Sequence, residues 1–297
     1  MDIASVEFFS SASIKAFTDH PHVLDGALGR TLAYLGLSIV LGLRLWMGLL
    51  GSAPQRILAY QITALLAAFV GAFLVINASL SDAVDPFSSS SSMQQTSLIF
   101  TDYQQMLLHT AYGNAWLLYL GLLTVAMLLV RHAWPAWSAA VGAGFALAAC
   151  GHSGEYGLGA SLYWSGALHL LLALTWIGGF CVLVAGRLGE GWRIEYAALR
   201  TFSHIALPLF LLIVLLGLIR LGLQYDYEGG LGALYVAMLA LKLIAVGGVV
   251  VGATGLRKLL KNADADESAY DDKLGTEIFF AGLLILATAL LTQLPPR

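Results

Sequence analysis

Apolar residues fall along this chain in long unbroken runs, not in alternation and not in a narrow stripe. Eight runs can be delimited: Ala27–Leu50, Ile57–Leu80, Met106–Val130, Trp134–Cys150, Ser161–Gly186, Thr201–Leu223, Ala233–Leu256 and Thr276–Leu294. A helix rises ~1.5 Å per residue, so ~20 apolar residues cross the ~30 Å of a bilayer's hydrocarbon. Barrel strands would be ~10 residues long with alternating polarity, and no segment alternates in that way. The pattern predicts an all-α membrane bundle of eight transmembrane helices over residues 27–297, the fourth being the shortest. Residues 1–26 form a separate N-terminal segment, in which Val6–Phe9 and Ile14–Phe17 fit an amphipathic stretch lying on the membrane surface. They lack a basic stretch ahead of an apolar core and do not read as a cleavable signal.

Composition leads to the same class. Of 297 residues 59% are hydrophobic and 11% charged, whereas soluble domains carry about a quarter charged residues. The mean hydropathy is +0.79. Lipid is therefore the solvent this surface requires. Orientation follows from Lys and Arg placement: Arg56, Arg131, the set Arg187, Arg193 and Arg200, and the set Arg257, Lys258 and Lys261 all follow odd-numbered runs. The opposite loops, Ser81–Gln105, Gly151–Ala160 and Gln224–Gly232, contain neither residue. Both termini are thus expected outside. The basic residues are spread along one interface where insertion explains them, which argues against a nucleic-acid partner. The run Ser88–Ser92 reads as a flexible tether. Cys150 and Cys181 fall at very different depths, too far apart for a disulfide.

Polar side chains inside these runs carry the functional question, since an ionisable group in hydrocarbon marks a pathway by default. On the expected topology His20, His22, His109 and His152 lie at the outer interface, and His132 and His204 on the other side. His169 lies eight residues into the fifth run, ~12 Å deep at helical rise. Imidazole suits copper and zinc. The fourth run ends Cys150-Gly151-His152 with Glu155 shortly after, and an antiparallel neighbour brings His152 and His169 to similar depth. Met106 and His109, at i and i+3, share a helix face. These residues make a candidate outer metal site, His152 and His169 first. Each has a plainer alternative: interfacial packing for Met106, His109 and Cys150, and a solvated tail for His20 and His22. Lys242, near the midplane, must face the bundle interior. Glu277 is too far along the helix to pair with it, so Arg200 or Lys258 is its expected partner. Arg44 and Arg220 lie near enough to helix ends to snorkel. Gly248 and Gly252 form a small-xxx-small pair suited to internal packing.

Several segments resemble, in order, the CopD copper-resistance family of bacterial inner-membrane proteins. Leu168-His169-Leu170 leading to Trp176-Ile177-Gly178-Gly179 is similar to its H-to-WxGG signature. Gly151-His152, Tyr112-Gly113-Asn114-Ala115-Trp116, Arg200-Thr201-Phe202-Ser203, Leu241-Lys242-Leu243 and Leu290-Leu291-Thr292-Gln293-Leu294-Pro295-Pro296 match further pieces. The resemblance runs from about Arg30 to the C-terminus. It implies a multi-pass protein of the inner membrane that moves a copper ion between periplasm and cytoplasm, with both termini periplasmic and a periplasmic partner of the CopC type. His152 and His169 match the family's histidines, and Lys242 and Glu277 its membrane charges. Met106, His109, Cys150 and the His20/His22 pair have no counterpart there.

The expected function is copper transport, as an importer, with the outer histidines as the entry site. Two alternatives stand beside it: a b-type haem protein ligated by His152 and His169, and a non-transporting membrane receptor for a copper chaperone. No Ser/His/Asp set or HExxH motif is visible in the sequence, so an enzyme is not expected.

Overall fold

The computed structural model describes residues 23–50, 57–83, 104–188, 194, 196–261, 267–292 and 294. The expectations for His20, His22, the amphipathic N-terminal stretch and the Ser88–Ser92 tether fall outside them. The described chain is helical with no strand. Its elements are α1 (Val23–Leu50), α2 (Ile57–Ala83), α3 (Ala111–Leu128), α4 (Ala133–Ala149), the single turn α5 (His152–Glu155), α6 (Ser161–Leu188), α7 (Tyr196–Glu228), α8 (Ala233–Lys261) and α9 (Glu267–Leu291).

Seven of these helices are long and apolar enough to cross a membrane, so the chain is a multi-pass membrane protein. Hydrocarbon offers no partner to a stray polar group, and helices satisfy their backbone internally. The threonines within them follow suit by bonding back into their own helix: Thr31 to Ala27, Thr175 to Leu171 and Thr288 to Leu284, at 2.8, 2.9 and 2.8 Å. The fourth apolar run forms α4, whose 17 residues give only ~25 Å of helix. This one falls short of the length that marks the other seven.

Two boundaries differ from the sequence pattern. The run Met106–Val130 is not one helix: residues 104–109 are helical, the chain turns at Thr110, and α3 begins at Ala111. Thr110 is extended and its hydroxyl accepts from the Gly113 amide at 2.9 Å, a helix N-cap inside an apolar run. The close fold-back requires Gly113, where a Cβ would sit 2.1 Å from the Met106 carbonyl oxygen. The Gln224–Gly232 loop, in turn, is mostly helix. α7 continues to Glu228, and the turn is confined to Gly229 and Gly230, whose φ values of 65° and 143° favour glycine.

α1 is the hub, packing on α2, α6, α4 and α9. Small residues let the backbones close up, as membrane interfaces require. Gly42 and Gly178 meet where α1 crosses α6, Gly29 meets Gly71 where α1 crosses α2, and Gly36 lies against Ala64. One core joins α1 to α4 around Trp116, Tyr119 and Leu37. A second, at the other end of α1, gathers Trp46, Phe202, Leu256 and Leu274. On α8 and α9, Gly248 lies against Phe280 and Gly252 against Glu277, so this glycine pair packs within the chain.

α7 and α8 barely touch along their length; α6 holds one and α9 the other. They are tied at their far ends by Arg200, which donates to the Leu260 carbonyl at 2.9 Å, and by Arg257, which donates to the Ser203 hydroxyl at 2.8 Å and to its carbonyl. Of the most apolar window of α7 only 6% is buried inside the protein, against 56% for α1. α7 is therefore a peripheral wall, and the space behind it is the site.

Candidate functional site

Between α1, α6, α7, α8 and α9 lies a cavity of about 210 Å³, more than ten times the ~10–15 Å³ that lodges one water. Most of its wall is apolar, with Trp176, Phe210, Val214, Leu239 and Leu284 among the lining residues. Its charged wall is basic: Arg30 from α1, Arg220 from α7 and Lys242 from α8, with His169 from α6, His152, Gln224 and the hydroxyls of Tyr34, Ser38, Ser153, Tyr235, Thr288 and Thr292 as its uncharged polar groups. Among the described residues no Asp or Glu lines it. Antiparallel succession puts the deep groups at one level. His169 is eight residues from the start of α6, Arg220 eight from the end of α7, and Lys242 nine from the start of α8, all ~12–14 Å down at helical rise.

The two principal histidines play different parts. His169 donates from Nδ1 to the Ile213 carbonyl at 2.8 Å, which fixes the ring and leaves the Nε2 lone pair free. The α7 backbone comes this close because Gly217 stands opposite: a Cβ there would lie 2.9 Å from the imidazole Cε1. His152 instead has both nitrogens engaged, Nε2 with the Leu294 carbonyl at 2.8 Å and Nδ1 with Glu155 Oε1 at 3.1 Å. Both ring nitrogens thus face an oxygen of the protein. His152 is a clasp holding the chain after α9 against the start of α5.

The other candidates are scattered. Met106 packs against the α1–α4 core from the turn before α3, and His109 is exposed; neither lines the cavity. Their shared helix face ends at Thr110, which is why they do not continue into the membrane domain as the run suggested. Cys150 is buried, its thiol bonded to the Ala146 carbonyl at 3.3 Å, and both described cysteines are free. Among the described residues no group of three or more His, Cys, Asp or Glu converges as a metal cluster would. Arg200 caps the α8 C-terminus, where carbonyls favour a cation, and so is not the partner of Glu277. Glu277 is buried against Gly252 with no hydrogen bond or ion pair to a described residue.

Sequence reasoning missed Arg30 altogether and misplaced Arg220. Arg30 is 3% exposed; it donates to the Cys150 carbonyl at 2.5 Å and lies 5.4 Å from the Trp116 ring centroid, a cation–π distance. Position near a helix end gave no signal that it turns inward. Arg220 lines the cavity beside Lys242 and His169 instead of reaching for the interface, a neighbourhood that only the assembled helices disclose.

The chain matches no family model, no curated protein and no solved structure. The resemblance to the CopD family rests on its motifs alone, and most of these have a packing role here.

Glu155 lies outside the spans, and the hydrogen bond from His152 holds its carboxyl below the ordinary carboxylate range. A depressed folded-state value means stability that is present above the unfolded value of ~4.3 and lost as pH falls through the folded one. Acid melts of the protein should show a small loss below pH ~4 that Glu155→Gln lacks; identical acid melts of the two proteins would deny the clasp this role.

Proposed function

We propose that this protein handles copper in the bacterial inner membrane, with His169 as the imidazole ligand inside the bundle. The observation that carries the proposal is the His169 ring, tied at Nδ1 to Ile213 and open at Nε2 in a mostly apolar cavity. A hydrogen bond on the second nitrogen is how ligating histidines are oriented. The CopD-like motifs supply the metal's identity and the periplasmic CopC-type partner. The placement of Lys and Arg supports eight spans, with α4 as the short one, and both termini in the periplasm.

The cationic wall limits the form of the cargo. At an effective dielectric of ~20, a unit cation ~6 Å from a dication opposes it by ~5–6 kcal/mol. Copper therefore enters as Cu(I) or with anionic ligands of its own, and His169 takes one coordination position. His169→Ala should leave membrane expression near normal and lower copper per folded protein after size exclusion. Binding by the wild type should weaken as pH drops through ~6.5, because only neutral imidazole ligates. A His169→Ala protein with full copper stoichiometry and unchanged pH dependence would sink the proposal.

A second reading, a b-type haem protein, draws on the same fixed imidazole and on the apolar walls, which suit a macrocycle better than a bare ion. A Soret band with sharp reduced α and β bands in the purified protein would decide for it. Vesicle copper flux separates the copper transporter from a chaperone receptor that moves nothing.

A further inference from the structure

The charged groups lining this cavity are all cations, which copper does not explain. Lys242 and Arg220 make no hydrogen bond or ion pair with any described residue, though both line the cavity. Arg30 Nε and Gln224 Nε2 are buried without an acceptor, on residues 3% and 1% exposed. These four groups come from α1, α7 and α8 and lie within ~6–14 Å of the same bundle end. Of the acidic residues at this end, Glu155 is bonded to His152 and Glu228 to the Tyr156 hydroxyl, while Asp25 and Asp226 are exposed and do not line the cavity. Glu277 faces Gly252, ten residues along α8 from Lys242, or ~15 Å at helical rise.

Three cations and an amide donor facing one chamber without a carboxylate are complementary to an anion rich in acceptor oxygens. Deeper than the charged level the chamber is mostly apolar, with Trp176, Phe210, Val214 and Val246. One of its walls is the pair α7 and α8, whose backbones barely touch. We propose that the cavity binds an amphiphilic anion, a carboxylate or phosphate head group on an apolar body, which enters from the bilayer between α7 and α8. The head sits against Arg30, Arg220 and Lys242 and accepts from Gln224, while the body lies on the aromatic and aliphatic wall. This goes beyond the copper reading and does not depend on it.

The test uses the purified full chain in a neutral maltoside detergent, without metal, and four probes: dodecyl phosphate, dodecanoate, dodecanol and inorganic phosphate. Dodecyl phosphate and dodecanoate should bind saturably and raise the melting temperature, whereas dodecanol and inorganic phosphate at equal concentration should not. Arg220→Gln and Lys242→Gln, on different helices so that one suffices if the other fails to fold, should each weaken binding about tenfold. Arg44→Gln, outside the cavity, should leave it unchanged. Equal binding of dodecanol would reduce the site to an apolar groove, equal binding of inorganic phosphate would remove the apolar body, and unweakened binding by both cavity variants would remove the cations. Each overturns the proposal. Loss of copper at His169 with anion binding intact, or the reverse, tells failure of one reading from failure of the other.

Discussion

Gly178→Val should leave almost no monodisperse folded protein. α1 and α6 cross at backbone contact: a Cβ on Gly178 would lie 1.7 Å from the Ser38 carbonyl oxygen, and one on Gly42 would lie 2.0 Å from the Gly178 carbonyl carbon. The atoms in the way are main chain, so no rotamer change makes room. The helices must part, and parting them breaks the bond from Trp46 Nε1 to the Gly179 carbonyl, 2.7 Å long, together with the stack of Trp46 on Phe202 at 4.8 Å. Overpacking costs typically ~1–3 kcal/mol when side chains can yield; here the cost should exceed ~3 kcal/mol, a large share of any protein's stability. Size exclusion after detergent extraction and a thermal melt provide the measurement. Gly121→Ala is the control, since nothing lies within 4 Å of a Cβ there, and it should keep or slightly raise stability. A Gly178→Val protein that melts with the wild type would refute the crossing.

The same crossing shows how much the sequence could reveal. Length and apolarity of the runs were enough for an all-helical membrane protein, because hydrocarbon admits few alternatives. The motifs were visible too, but their meaning was not. Trp176-Ile177-Gly178-Gly179 is a close helix crossing, and Arg200-Thr201-Phe202-Ser203 ties α7 to α8 and stacks on Trp46. Gly151-His152 and the Leu290–Leu294 stretch clasp one another through His152 and Leu294. Tyr112-Gly113-Asn114-Ala115-Trp116 supplies the fold-back at Gly113, the ring under Arg30, and a Tyr112 hydroxyl 2.9 Å from that of Ser79. A chemistry-bearing residue and a packing residue look alike along a chain when each is polar or small inside an apolar run. His152 and His169 were legible as a pair in depth, yet only the acceptors around His152 reveal that its nitrogens are spoken for. His169 and Lys242 are the two motif residues left facing open space, and Arg220 and Arg30 join them from runs that carried no motif at those positions.

Lys242→Leu should give a more heat-stable protein that has lost its function. An ammonium at this depth costs ~2.5–3.5 kcal/mol on insertion scales, and nothing in the described bundle offsets that cost: Lys242 has no hydrogen bond or ion pair, and its neighbours at the same level are Arg220 and His169. Leucine removes the unpaired charge and suits the apolar wall formed by Leu239, Leu243 and Val246, so the melting temperature should rise by several degrees. On the proposed function, in which copper enters with anionic ligands of its own, the lost charge is also one of the three that would hold those ligands. Copper uptake into inner-membrane vesicles should therefore fall about tenfold or more, a stability–function trade of the kind strained sites show. Lys242→Arg keeps the charge in a bulkier group, and should retain part of the uptake with no gain in stability. Normal uptake by the leucine variant would make Lys242 dispensable. A melting temperature that falls instead would show that the ammonium already has a stabilising partner, and that the cavity's charge is not free to meet a ligand.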